Sequence, residues 1–191
     1  GRLGGIAHLR LRPGDRLLVQ GPSGSGKSLL LSALAGLWPL AEGTVSWPVG
    51  RVLFVPQRSY LPEGSLRACI AYPGVAASID TPAARATLLE VGLGALSAEL
   101  DSERDWSRVL SPGEQQRLAF ARVLLQRPAV VFLDETSAAL DLDAEAMMYD
   151  LLDERLADCI VVSVGHRASL LRWHPLQLDW DAPAEWAMQT G

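Results

Sequence analysis

Gly21-Pro22-Ser23-Gly24-Ser25-Gly26-Lys27-Ser28 stands between an apolar run at 16–20 and an apolar helical pattern at 27–35, and no other stretch restricts the fold as tightly. The octet fits G-x-x-x-x-G-K-[ST] in the setting that gives the pattern meaning, after a strand and at the opening of a helix. Its glycines let successive backbone N–H groups curl around an anion, and the helix that follows turns its positive end toward the same place. Lys27 is the only lysine in a chain whose Lys+Arg total is 17. A chain that otherwise uses arginine keeps a lysine where a compact ammonium is needed. A glycine-rich turn capping a helix accounts for the glycines but not for that lysine. The reading places Lys27 in an exposed loop, reaching the β- and γ-phosphates of a nucleotide, with the Ser28 hydroxyl on Mg²⁺.

The rest of the pattern alternates strand and helix. Strand-like segments occur at 6–12, 16–20, 44–47, 51–55, 129–133 and 159–164. The last two are near-continuous apolar runs, which suit strands buried on both faces of a parallel sheet. Helical patterns at 27–35, 113–126 and 141–156 alternate with them, which argues for α/β layers. Residues 61–110 differ, with Ala-, Leu- and Glu-rich pieces such as the run opened by Thr81-Pro82-Ala83. They read as a helical insertion, so the core is expected in 1–60 and 111–191 and a helical subdomain in about 61–110.

Composition removes several classes of function. At 191 residues, 49% hydrophobic and with a net charge of −5, the chain is long and apolar enough for a packed core, which excludes intrinsic disorder. The acidic balance argues against a nucleic-acid partner, which needs a basic face. No apolar run approaches the ~20 residues of a membrane span, and no leader pattern opens the chain. Cys69 and Cys159 lack metal-ligand spacing and read as small buried hydrophobes rather than a disulfide.

Three further stretches can carry chemistry. The run Val130-Val131-Phe132-Leu133 ends in Asp134-Glu135, two carboxylates at the edge of an α/β sheet where ligands bind. Paired with the phosphate loop, Asp134 is a candidate for the Mg²⁺ shell and Glu135 for orienting and polarising the attacking water. Leu110-Ser111-Pro112-Gly113-Glu114-Gln115-Gln116-Arg117 has two readings. Ser111 as N-cap, Pro112 in the first turn and Glu114 completing a capping box explain it as a helix start. The same capped terminus is also an anion site. Asp141 likewise serves as the N-cap of the helical pattern that follows it.

Leu-Ser-x-Gly followed by a polar pair and arginine resembles the signature motif of ATP-binding cassette (ABC) proteins, and the remaining cassette elements follow in family order. Gln57 in Phe54-Val55-Pro56-Gln57 looks like the Q-loop glutamine, Ser137-Ala138-Ala139-Leu140-Asp141 is similar to the D-loop, and His166 in Ser163-Val164-Gly165-His166-Arg167 resembles the switch histidine. The resemblance covers essentially the whole chain. Val55-Pro56-Gln57-Arg58-Ser59-Tyr60-Leu61-Pro62-Glu63-Gly64-Ser65-Leu66-Arg67 and the Gly-Glu-Gln-Gln variant look like a half-transporter group that includes peroxisomal fatty-acyl transporters and bacterial relatives. Pro112 and Glu114 stand where the commonest signature has Gly and Gln.

What the resemblance implies is a P-loop α/β cassette: a RecA-like core, an antiparallel β edge near the N-terminus and a helical subdomain. ATP is expected at Gly21, Pro22, Ser23, Gly24, Ser25, Gly26, Lys27, Ser28 and Gln57, and at Ser111, Gly113 and Glu114 of a second cassette in a head-to-tail homodimer. Mg²⁺ is expected at Ser28, Gln57 and Asp134. Glu135, His166 and Lys27 are the catalytic candidates, with His166 contacting the γ-phosphate. Cassettes stack adenine on an aromatic before the first strand ends, yet residues 1–20 contain none, so that residue and a membrane-spanning half are expected upstream in the same polypeptide. The implied role is an ATPase motor of a membrane transporter at the cytoplasmic face, the inner membrane in a bacterium. An ABC protein of DNA repair or translation lacks support in this acidic chain, a P-loop kinase would not need the signature or His166, and a binding-only cassette would not keep Lys27, Glu135 and His166.

Overall fold

The computed structural model describes residues 9–38 and 44–180. The chain divides into two compact units, one made of Gly1–Pro56, Pro128–Glu135 and Asp158–Gly191, the other of Gln57–Arg127 and Thr136–Ala157.

The first unit is built on a parallel five-stranded sheet. Its strands are β1 (Arg16–Gln20), β2 (Val52–Val55), β5 (Val130–Asp134), β6 (Ile160–Val164) and β7 (Leu176–Asp179), in the spatial order β2-β5-β6-β1-β7. Every residue of β5 and β6 is buried, as their unbroken apolar runs predict. Helix α1 (Lys27–Leu34) packs Leu30 and Leu31 onto Leu17, Val19, Phe132 and Val162. Register pairs Val19 with Val164 and Asp134 with Val164. The ends of β1, β5 and β6 therefore emerge side by side at one edge, which is how residues far apart in sequence come to share a site.

Three expectations for this unit change. Residues 44–47 form no strand, and neither do 9–12; residues 6–8 of the expected first strand lie outside the described residues. The antiparallel N-terminal edge is thus not found among the described residues. In its place Trp47 lays its ring edge-on to Phe132 at 5.4 Å, so this segment is held by packing rather than by a ladder. Strand β7 was not foreseen, because Leu176–Asp179 is a short, largely exposed edge without an apolar run.

The second unit is helical, with α2 (Leu66–Ala71), α3 (Thr81–Glu90), α4 (Trp106–Val109), α5 (Pro112–Gln126) and α6 (Leu142–Arg155). Its only pairing among the described residues is the two-residue antiparallel ladder of β3 (Gly64–Ser65) with β4 (Glu103–Arg104). Helix starts follow the chemistry of their caps: the Ser65, Asp80, Ser111 and Asp141 side chains each accept a bond from a first-turn backbone N–H. This unit differs from the expected insertion at about 61–110, because α5 and α6 belong to it. Helix α5 packs against α2, α3 and α6, and Phe120 meets Tyr149 edge-on at 5.7 Å. Arg122 is buried in the same packing, donating to the carbonyls of Cys69 (2.8 Å) and Tyr60 (3.0 Å). Both cysteines are free and buried, and burial pushes each thiol up to about 11, as inert small hydrophobes require. Among the described residues no helix is long and apolar enough to cross a membrane.

Candidate functional site

The loop between β1 and α1 takes the conformation its glycines permit. Gly24 and Gly26 have φ of 77° and 84°, where a side chain is strained. Gly21 is required for a second reason, since a Cβ there would lie 2.1 Å from the Trp180 carbonyl oxygen. Lys27 is not exposed as expected but 5% accessible. Its ammonium folds back into the loop and donates to the carbonyl oxygens of Gly21 (2.8 Å) and Pro22 (2.6 Å). Burial lowers its pKa, while the Glu135 and Asp134 carboxylates pull the other way. Ser25 Oγ is buried in the same loop with no hydrogen-bond partner, an orphaned group of the kind that a bound anion satisfies.

The carboxylates stand where β5 ends. Ser28 Oγ donates to Asp134 Oδ1 at 3.0 Å, joining the start of α1 to the end of β5. Asp134 is buried, and that burial raises its pKa against the opposing Ser28 bond. Paired hydroxyl and carboxylate oxygens suit a hard divalent cation. Glu135 follows in a left-handed conformation, φ 48°, unusual for a residue with a Cβ. Its backbone N–H donates to Val164 O at 3.0 Å, and its side chain reaches to within 3.3 Å of His166 Nε2. The first unit therefore brings Lys27, Ser28, Asp134, Glu135 and His166 together at one sheet edge.

The other candidates belong to the second unit. Gln57 opens it as an exposed residue. Ser111, Gly113 and Glu114 begin α5, and the capping box read from the sequence is present: Ser111 N and Oγ donate to Glu114 Oε2 at 2.9 and 2.6 Å, and Glu114 N donates back to Ser111 Oγ. The Ser111 hydroxyl, then its N–H, hold the Glu114 carboxyl below its usual range. Gly113 lies close under the next loop, where a Cβ would come 3.3 Å from Ala139 O. That loop is pinned at both ends, Ala139 N donating to Gln116 Oε1 (2.7 Å) and Ser137 Oγ to the fully buried Glu145 (2.6 Å).

Sequence reasoning missed the residues behind these ones. Gln116 and Glu145 support the Ser137–Asp141 segment, and Trp180 and His174 support the sheet edge. Buried glutamate and histidine were the only available signal, and neither is visible as buried before the helices are packed.

A family model described as ABC transporter matches residues 6–138. The chain belongs to the ABC transporter family. An ABC transporter ATP-binding protein of Haemophilus influenzae is 46% identical over 183 residues, covering 95% of this chain and 31% of that protein. ABC transporter D family member 2, chloroplastic, of Arabidopsis thaliana is 37% identical over 209 residues, covering 84% of this chain and 29% of its own. The structure of a bacterial Atm1-family ABC exporter with ATP bound superposes with a TM-score of 0.75 at 25% identity, over 88% of this chain and 32% of the exporter. The cassette thus spans about a third of the relatives it matches, and both the ABC fold and the resemblance to a half-transporter group with bacterial relatives read from the sequence hold.

Proposed function

We propose that this cassette binds and hydrolyses ATP as the motor of a membrane transporter, working at the cytoplasmic face beside a membrane-spanning half of the same polypeptide. The observation that carries the reading is the convergence of the buried Lys27 ammonium, the Ser28–Asp134 pair and the Glu135–His166 pair on one sheet edge. Gly21 to Gly26 supply backbone N–H groups for the phosphates, and Lys27 exchanges its two loop carbonyls for phosphate oxygens. Ser28 and Asp134 would hold Mg²⁺, which when bound neutralises phosphate charge. Glu135 orients the attacking water and draws its proton toward Oε1 or Oε2, while His166 Nε2 holds that carboxylate in line. Such catalysis is positioning and electrostatics.

The second half of the site is supplied by a partner cassette, whose Ser111, Gly113 and Glu114 meet the γ-phosphate in a head-to-tail homodimer. The net charge of −5 argues against a nucleic-acid partner. The test is acceptor-free phosphate release from ATP with Mg²⁺, for the wild-type chain and Glu135→Gln. Transfer of the γ-phosphoryl group to a small-molecule acceptor without free phosphate would make the chain a kinase, and equal phosphate release by the variant would remove Glu135 from the chemistry.

A further inference from the structure

Trp180, just past β7, meets the last residue of β1 and two places in the phosphate loop. Its backbone N–H donates to Gln20 O at 2.7 Å, extending the β1–β7 pairing by one bond. Its carbonyl oxygen lies over Gly21, where a Cβ would come within 2.1 Å. Its indole Nε1–H donates to Ser25 O at 2.8 Å. The ring itself is 2% exposed and belongs to the core cluster that includes Leu17, Leu30 and Leu31, which holds it in place beside the loop.

The third contact has a geometric consequence. A trans peptide is planar, with its C=O and N–H on opposite sides. When the indole captures Ser25 O, the N–H of Gly26 in that same peptide is turned away from Trp180. Gly26, at φ 84°, has no Cβ of its own to resist a turn of that peptide. The only partner of Ser25 O among the described hydrogen bonds is this indole.

We infer that Trp180 is a positioning residue for nucleotide binding, its indole N–H fixing the Ser25–Gly26 peptide so that Gly26 N–H faces the phosphates before they arrive. The inference rests on the reading of 21–28 as the phosphate loop and deepens it: the group that Trp180 helps to recognise is the oligophosphate. A pre-aimed donor spares the ordering that binding would otherwise have to perform.

The test uses the full chain with ATP and with inorganic pyrophosphate, each with Mg²⁺, and compares wild type, Lys27→Ala, Trp180→Phe and a Trp180 replaced by benzothienylalanine, which keeps the ring shape but lacks the N–H. Calorimetry is expected to show both Trp180 variants binding ATP and pyrophosphate about fivefold more weakly, the worth of one hydrogen bond. KM for ATP rises by the same factor while kcat holds, a split that general loosening of the core does not produce. Wild type that binds neither ligand overturns the phosphate-loop reading itself. Wild type that binds, with Lys27→Ala weakened and the benzothienylalanine protein unchanged, overturns only the role of Trp180. Should Trp180→Phe not fold, the unmodified chain still decides: the Trp180 indole N–H is expected to be protected from solvent exchange already without nucleotide, and an indole N–H that exchanges freely until ATP is added overturns the inference.

Discussion

Glu135 Oε1 lies 3.3 Å from His166 Nε2 because two neighbouring parallel strands end in step. Register pairs Asp134 with Val164, and the Glu135 N–H then bonds back to Val164 O. The left-handed turn at Glu135 aims its side chain along the sheet edge toward the residue two places beyond Val164. Strain of roughly 1–3 kcal/mol at such a backbone persists where the surroundings enforce it, and it gathers at functional sites.

Glu135→Gln is expected to keep this geometry and lose the carboxylate that polarises water. ATP should then persist and join two copies, whereas ADP lacks the phosphate that a partner's Ser111 and Gly113 would touch. Analytical ultracentrifugation with Mg²⁺ is expected to show a dimer with ATP, a monomer with ADP, and a monomer with ATP when Ser111→Arg is added. A dimer that forms equally with ADP would defeat the head-to-tail arrangement.

Lys27→Ala acts on the loop as well as on the ligand. The buried ammonium ties Gly21 O to Pro22 O, so its removal frees two carbonyls and deletes the cation facing Asp134 and Glu135. ATP affinity is expected to fall at least about tenfold, one charge-assisted bond being worth roughly 1.5–3 kcal/mol. Backbone amide exchange in 21–26 should quicken while that in β5 and β6 does not. Unchanged calorimetric affinity would remove Lys27 from the site.

His174 predicts an acid limit to stability. It is fully buried, with Nδ1 donating to Leu170 O and Nε2 accepting from Ser163 Oγ, both at 2.8 Å. Burial first, with the Arg16 charge adding to it, pushes its pKa from 6.5 down to about 4 against the opposing Leu170 bond. The unfolded chain therefore binds the proton more readily, and stability is full above pH 6.5 and falls as pH drops toward 4, by about 3 kcal/mol in all. Denaturant melts of His174→Gln should lose that slope between pH 6.5 and 4; a wild-type-like slope in the variant would sink the assignment.

Arg127 ends α5 with φ 45° and ψ 58°, its N–H bonded to Val123 O. This is the place where glycine is strongly preferred. Arg127 is exposed, so Arg127→Gly is expected to raise stability by about 0.5–1 kcal/mol and to leave ATP affinity alone. A lower melting temperature would show that the arginine side chain holds something the backbone does not need.

Local chemistry was sufficient for much of this protein. Gly21 to Ser28, the apolar runs of β5 and β6, and the caps at Ser111 and Asp141 are legible because each rests on neighbours within a few residues: a peptide's donors, a strand's period, a helix's first turn. The order of the motifs along the chain then carried the family. Tertiary structure alone decided the rest. Lys27 is buried because its ammonium folds onto its own loop, residues 44–47 stay out of the sheet because Trp47 packs on Phe132, and α5 and α6 leave the expected core because their apolar faces meet α2, α3 and each other. Trp180, Gln116 and Glu145 became visible only as donors and acceptors to loops far away in sequence. A side chain's partner is a property of the folded distance, and no periodicity along the chain encodes it.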